Sequence, residues 1–301
     1  MKTFFGQLNQ EREAGRCGKW MSHRQEINRM IEQAAAVSAS GDEVIIMGAG
    51  NCDDLDLPYL ASRFVSVTLA DIDEDAMKTA VARLEPLLQK KMRIVDSFDF
   101  TQLDQIDFYA RFQSLLDNQM PSVRMISFLR EISSEIGGEM ALNRLKGRYS
   151  VVISSAVHTQ LFYLHTLSLF AVYAKLYAKT EIKQIVEGIA QLRDVLLRKY
   201  NDMLFSLAKS KGTLVVWTDM VLLDKQTDFI WETMYSLANE AERAKYMLRL
   251  MVNYGIEAAV FAIQDIDQRL SSEGKLLRSW LWPFNDEKQF ITVGIAGQVK
   301  A

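Results

Sequence analysis

Glu43-Val44-Ile45-Ile46-Met47-Gly48-Ala49-Gly50 is the stretch on which the fold turns. Val44 to Met47 form a short, unbroken apolar run, the pattern of a strand covered on both faces in a parallel sheet. The run ends at two glycines one residue apart. Glycine accepts the sharp turn out of a strand, and its bare Cα lets a ligand approach the backbone. A lone Gly-x-Gly serves a ligand loop or a plain tight turn equally well, so the chemistry has to come from what surrounds it.

Downstream, Phe64 to Ala70 read as a second strand that ends at Asp71. Asp73 is placed to cap a helix of about 15 residues starting at Glu74. A third, short strand is expected at Met92–Val95, and residues 102–147 read mostly as helix with a break near Pro121. The fourth strand is Tyr149–Ser154. From Val151 to Ala174 there is no Lys, Arg, Asp or Glu. Ser154, Ser155, His158, Thr159, Gln160 and His165 make that stretch unsuited to lipid, so it reads as a buried strand running into a buried helix. A second helix follows to about Leu207, and Thr213–Trp217 form the fifth strand. Helices are expected around 227–253. Strands at Leu276–Trp282 and Gln289–Ala296 close the chain, joined by a hairpin turn at Pro283–Glu287. Upstream, Ile27, Met30, Ile31, Ala34 and Ala35 recur at helical spacing within residues 1–40, before Ser40-Gly41-Asp42 breaks the pattern.

Strands alternating with helices predict an α/β protein with a doubly wound, seven-stranded sheet. The closing hairpin makes its last strand antiparallel. Residues 1–40 form an N-terminal helical segment in this reading, and residues 41–301 one domain with helical insertions near 102–147 and 160–210.

Composition sets the outer limits. The 301 residues are 49% hydrophobic and 24% charged, with a net charge of −3. That balance opposes a dedicated nucleic-acid binder: no DNA partner is expected, although RNA stays open as a substrate because local basic patches survive a neutral total. Cys17 and Cys52 show no Cys-x-x-Cys spacing, so neither a disulfide framework nor a metal site is expected. The N-terminal MKTFFGQLNQEREAGR lacks the apolar core of a signal peptide. A soluble, cytoplasmic protein without a membrane segment is the expectation, and its oligomeric state is open.

The loop after the first strand carries an electrostatic clue. A dinucleotide fingerprint needs a third glycine at position 53, where Asp53 stands, followed by Asp54 and Asp56. Three acids before a helix would repel a pyrophosphate, so a ligand without phosphate suits the loop better. Asp71 lies 21 residues beyond Gly50, at the end of the second strand. A carboxylate there can accept hydrogen bonds from both ribose hydroxyls of an adenosine group.

Gly48-Ala49-Gly50 followed by Leu69-Ala70-Asp71-Ile72-Asp73 resembles the first two motifs of the class I, S-adenosylmethionine-dependent methyltransferases. Val95 to Thr101 looks like the family's third motif. There the resemblance assigns Asp99 and Phe100 to the adenine amino group and ring, with Asp96 as the rival register. Val152 to His158 looks like the fourth, at the strand end that faces the methyl donor. The resemblance implies S-adenosylmethionine as cofactor, with Gly48, Ala49, Gly50, Asp71, Ile72, Asp99, Phe100, Ser154 and Ser155 lining its site. The family often has an acid two residues before the first glycine, where this chain has Ile46, and its third small loop residue is here Cys52. Ser154-Ser155-Ala156-Val157 replaces the Asn/Asp-Pro-Pro-aromatic signature of nucleic-acid amino-methylating enzymes, which argues against DNA adenine or cytosine N-methylation and favours a small-molecule acceptor.

His158, just past the fourth strand, is the candidate base for a hydroxyl or phenol acceptor, against the alternative of a core or capping histidine. Trp20 and His23 are the candidate substrate contacts, because segments before the first strand commonly cover the acceptor in this family. Packing against the sheet edge is their alternative, as core packing is for Trp280 and Trp282. Three readings compete: an active methyltransferase, a non-catalytic binder of S-adenosylmethionine or of a partner, and a nicotinamide-dependent oxidoreductase, which Asp53 and the closing hairpin oppose.

Overall fold

The computed structural model describes residues 16–36, 41–95, 97–136, 142–225 and 227–300. Its sheet has seven strands in the order β3-β2-β1-β4-β5-β7-β6. These are β1 (Glu43–Met47), β2 (Ser66–Ala70), β3 (Met92–Val95), β4 (Tyr149–Ser155), β5 (Ala208–Leu223), β6 (Leu276–Pro283) and β7 (Gln289–Gln298). Strands β1 to β5 pair in parallel, whereas β7 runs antiparallel to both β5 and β6. The expected sheet and its closing hairpin are both present.

Alternation along each central strand divides the core in two. Ile45, Met47, Val152, Leu214 and Val216 face one apolar cluster, and Val44, Ile46, Val151, Ile153, Val215 and Trp217 face the other. After α1 (Arg16–Lys19), the second face is covered by α2 (Met21–Ala36), α3 (Leu57–Arg63) and α4 (Glu74–Ala82). All five apolar residues whose spacing predicted α2 are buried.

After α5 (Pro86–Gln89), the first face is built from α6 (Phe108–Asp117), α7 (Ser122–Glu135), α8 (Tyr163–Tyr173) and the long α9 (Lys179–Leu207). Helix α9 buries Ile185, Ile189, Leu192, Leu196, Tyr200, Asn201 and Leu204 along one side, the stripe that carries a helix across a sheet. Gly188 lets α7 approach closely, since a Cβ there would lie 3.0 Å from Leu129. Helices α10 (Phe229–Ser236), α11 (Glu240–Tyr254) and α12 (Glu257–Arg269) connect β5 to β6.

Three expectations need correction, and one helix stands where none was expected. Helix α4 has nine residues, ending at Ala82, and Pro86 opens the separate α5. The uncharged helix α8 is mostly a surface helix: only Thr166 and Phe170 are buried, and Leu164 and Val172 are 56% and 69% exposed. Absence of charge there marks an apolar surface, not a buried core segment. Helix α12 lies in a stretch to which the sequence reading assigns no element, although Ala258, Ala259, Ala262, Ile263 and Ile266 are buried at helical spacing. Strand β5 runs on for six residues past Trp217, with a register shift between Asp219 and Val221 that carries it beyond the end of β4. Among the described residues, no helix is long and apolar enough to cross a membrane.

Candidate functional site

The carboxyl ends of β1, β2 and β4 converge on the loop at Gly48. Gly48 has φ +78° and Gly50 φ +46°, the left-handed region that glycine enters without a Cβ penalty. Gly48 N–H donates to Ala70 O (2.9 Å) at the end of β2. A Cβ on Gly48 would lie 2.2 Å from Val157 Cγ2 and 2.8 Å from Ser155 O. The first glycine is therefore required by the chain's own packing against the exit of β4.

Asp71 is the hub of this end of the sheet. Its Oδ2 accepts from Gly50 N–H and its Oδ1 from Asp73 N–H, both at 2.9 Å. A carboxylate offers about four lone-pair sites, so capacity remains for a further donor. Burial pushes the Asp71 carboxyl above its usual range, while the backbone N–H groups of Asp73, Gly50 and Ile72 pull the other way. Asp73 caps α4 as expected, accepting from Ala76 N–H at 3.1 Å. Ile72 beside it is half-buried, and Ala49 is buried.

The three acids after the glycines each have a structural partner. Asp56 caps α3 through Tyr59 N–H (2.9 Å), so the chain's own carboxylate already meets that helix N-terminus. Asp53 faces Arg83 at 3.7 Å. Asp54 is buried and accepts from Ser155 Oγ–H at 2.8 Å, and desolvation pushes its carboxyl up to about 6. Cys52, a free and buried thiol at φ 54°, sits among these acids, and burial followed by their charge drives its pKa well up.

Asp99 and Phe100 lie on the loop after β3, and Asp96 lies outside the described residues. Asp99 is engaged locally: Oδ1 accepts from Thr101 N–H (2.8 Å) and Thr101 Oγ–H (2.6 Å), and Oδ2 from Asp104 N–H (3.1 Å). One acceptor site on Oδ2 remains by the same count. Phe100 packs between Phe98 and Tyr200, with ring centroids at 5.6 and 5.3 Å. Ser154 Oγ and the Tyr200 hydroxyl share a 2.8 Å hydrogen bond, which ties the end of β4 to α9. Asp71, Phe100, Ser154 and Tyr200 thus gather on one flank of the loop.

Past β4, Ala156 takes φ +49° and its N–H donates to Trp217 O (3.0 Å), turning the chain over the sheet edge. His158 follows, buried, with Nε2 2.9 Å from Asn201 Oδ1 and its ring edge-on to Tyr200 at 5.1 Å. Desolvation lowers its pKa to about 4. Thr159 then donates to Asp219 Oδ1 (2.5 Å) on β5, a carboxyl raised to about 6 by burial.

Trp20 and His23 sit elsewhere, in an aromatic cluster where α2 crosses β6. His23 stacks on Trp282 at 4.3 Å and accepts from Trp280 Nε1–H at 2.9 Å, and burial takes its pKa down to about 3. Trp20 Nε1–H donates to Phe284 O at 3.1 Å. Register pairing places this cluster at the same end of the sheet as Asp219, since Asp219, Thr292 and Trp280 lie side by side across β5, β7 and β6.

Sequence reasoning missed Asp219, Asn201 and Asp265, and read Asp54 only as one of the loop's charges. Asn201 offered a signal, a polar residue on the apolar stripe between Leu197 and Leu204. Asp54 and Asp219 offered none, because their burial comes from tertiary packing.

No protein-family model matches the chain, and no curated protein matches it. Solved structures similar to it include the methyltransferase domain of bacterial CtHen1 (11% identity, TM-score 0.41, covering 93% of this chain and 99% of that one). Another is a SAM-dependent methyltransferase from Aquifex aeolicus (10% identity, TM-score 0.39, 91% and 89%). A third is CrArsM, an arsenic(III) S-adenosylmethionine methyltransferase from Chlamydomonas reinhardtii (10% identity, TM-score 0.35, 85% and 63%). The fold assignment rests on strand order and register: a sheet ordered 3-2-1-4-5-7-6 with β7 antiparallel is the class I methyltransferase fold.

Proposed function

We propose that this chain transfers a methyl group from S-adenosylmethionine to a small-molecule acceptor. The observation that carries the reading is Asp71, a half-buried carboxylate held by Gly50 N–H and Asp73 N–H at the joint of β1 and β2, with acceptor capacity left for a further donor. That capacity suits a ribose hydroxyl of an adenosine ligand. The acids beside the loop suit a ligand that carries a sulfonium and an ammonium, and Asp56 already meets the helix N-terminus that a pyrophosphate would use.

When bound, S-adenosylmethionine supplies an electrophilic methyl carbon. Gly48, Ala49, Gly50 and Asp71 would hold its ribose and amino-acid part, and Ile72, Asp99 and Phe100 its adenine. Ser154 and Ser155 would border the methyl end. The protein's part is to position an acceptor in line with that carbon and exclude water, which lowers the barrier by fixing geometry in advance. His158 is the base we assign to the acceptor. Trp20 and His23 belong to the buried cluster of Trp280 and Trp282, on the opposite face of the sheet from His158, and no acceptor contact is assigned to them. Binding of S-adenosylmethionine and S-adenosylhomocysteine, followed by an acceptor screen with radiolabelled methyl donor, tests the proposal. Binding of NAD in their place would sink it.

A further inference from the structure

We propose that His158 is locked in one tautomer by Asn201, so that bare Nδ1 takes the proton of a protic O–H or N–H acceptor. This rests on the methyl-transfer reading for its chemistry, but the lock is a property of the free protein.

The orientation of the Asn201 amide decides the tautomer. Its Nδ2 lies 2.8 Å from Asp265 Oδ2 and 3.2 Å from Ala262 O, both acceptors. Flipping the amide would set its oxygen against a carboxylate and a carbonyl, so Oδ1 must face His158. An acceptor 2.9 Å from Nε2 requires the ring proton there. Asp265 is in turn held by Arg269 Nη1 at 3.2 Å. The chain Arg269–Asp265–Asn201–His158 runs from α12 through α9 to the loop after β4. Asn201 and Asp265 are positioning residues in this scheme.

Nδ1 is buried and has no hydrogen-bond partner among the described residues. A histidine kept only for packing would gain by satisfying that lone pair or by being replaced with an apolar residue. Its place is also telling: the adjacent Val157 packs on Gly48. The titratable and charged groups around the ring are Tyr200 on α9, and Asp265 with Arg269 on α12; Asp219 on β5 holds the neighbouring Thr159. Of these, Asp265 favours the imidazolium and desolvation opposes it more strongly, so the ring stays neutral and its lone pair free at pH 7.

The proton balance then defines the acceptor. Its lone pair forms the bond to the methyl carbon, the carbon–sulfur bond breaks with its electrons left on sulfur, and the acceptor's proton moves to Nδ1 and on to solvent. An acceptor with no proton to lose has no use for this base.

Three histidines, His23, His158 and His165, make the tautomer directly measurable. In the ¹⁵N-histidine-labelled full chain, long-range ¹H–¹⁵N correlation, assigned with His158→Gln, should show His158 neutral and protonated on Nε2 from pH 8 to 5. Asn201→Ala should convert it to a mixture of tautomers. A wild-type ring protonated on Nδ1, or charged at pH 7, overturns the proposal whether or not the variant folds. In the methyl-transfer assay, His158→Gln should lower turnover of a protic acceptor by about 10²–10⁴-fold. Turnover confined to a proton-free acceptor such as trimethylamine, unaffected by that substitution, overturns it as well. Failure of S-adenosylmethionine to bind would sink the methyl-transfer reading and leave the tautomer result standing, so the two fail separately.

Discussion

Ser155 donates to Asp54 across 2.8 Å and joins the last residue of β4 to the loop behind β1. Four residues on, Thr159 makes the matching bond to Asp219 on β5. The segment that carries Ala156, Val157 and His158 is therefore strapped at both ends to buried carboxyls.

This arrangement has a consequence for stability against pH. Burial holds the folded His23 and His158 at about 3 and about 4. Their unfolded counterparts protonate below about 6.5, so each withdraws stability as the pH falls from about 6.5 toward 4. Asp54 and Asp219 act oppositely: folded they bind protons at about 6, so each adds stability as the pH falls from there toward the unfolded value of about 3.9. Two groups of each sign nearly cancel between pH 6 and 4. The Asp54→Asn/Asp219→Asn double variant leaves the histidines unopposed. Its urea-melt stability should fall by about 2–3 kcal/mol per pH unit more steeply than wild type in that window. Parallel slopes for the two proteins would contradict the burial assigned to the acids.

Gly48→Ala should destabilise the protein by about 3 kcal/mol or more, combining a left-handed backbone with overpacking. The added carbon would meet Val157 Cγ2 at 2.2 Å and Ser155 O at 2.8 Å. Val157→Ala in the same chain should recover only part of the loss, because the positive φ and the carbonyl clash stay. Full recovery in thermal melts would show that the backbone conformation costs nothing.

His23→Phe keeps a ring on Trp282 but strands the buried Trp280 N–H, a loss of about 1–3 kcal/mol. Adding Trp280→Phe removes the stranded donor, so the double variant should be more stable than the sum of the two single losses. Strict additivity in denaturant melts would mean that this hydrogen bond contributes nothing.

Much of the fold could be read from local pattern. The apolar run at Val44–Met47, the cap at Asp73 and the stripe from Ile27 to Ala35 are each written in a few consecutive residues, and each element formed. Helix α12 was illegible because its small residues, Ala258, Ala259 and Ala262, make a weak apolar stripe. The extension of β5 past Trp217 depends on pairing with β7, a partner some 70 residues away. The site divides the same way. Gly50 and Asp71 were legible by spacing, whereas Asp54, Asn201, Asp219 and Asp265 owe their environment to helices and strands that meet only in the folded chain. Asp99 illustrates the limit from the other side, since its type and position matched a ligand contact while most of its acceptor sites serve its own loop.

Asp71 carries the central claim, and isothermal titration calorimetry of the purified protein with S-adenosylmethionine, S-adenosylhomocysteine and NAD tests it most directly. The account predicts micromolar-range binding of the first two, none of NAD, and loss of both in Asp71→Ala with the fold retained by circular dichroism. Binding of NAD alone, or of none of the three, would contradict it.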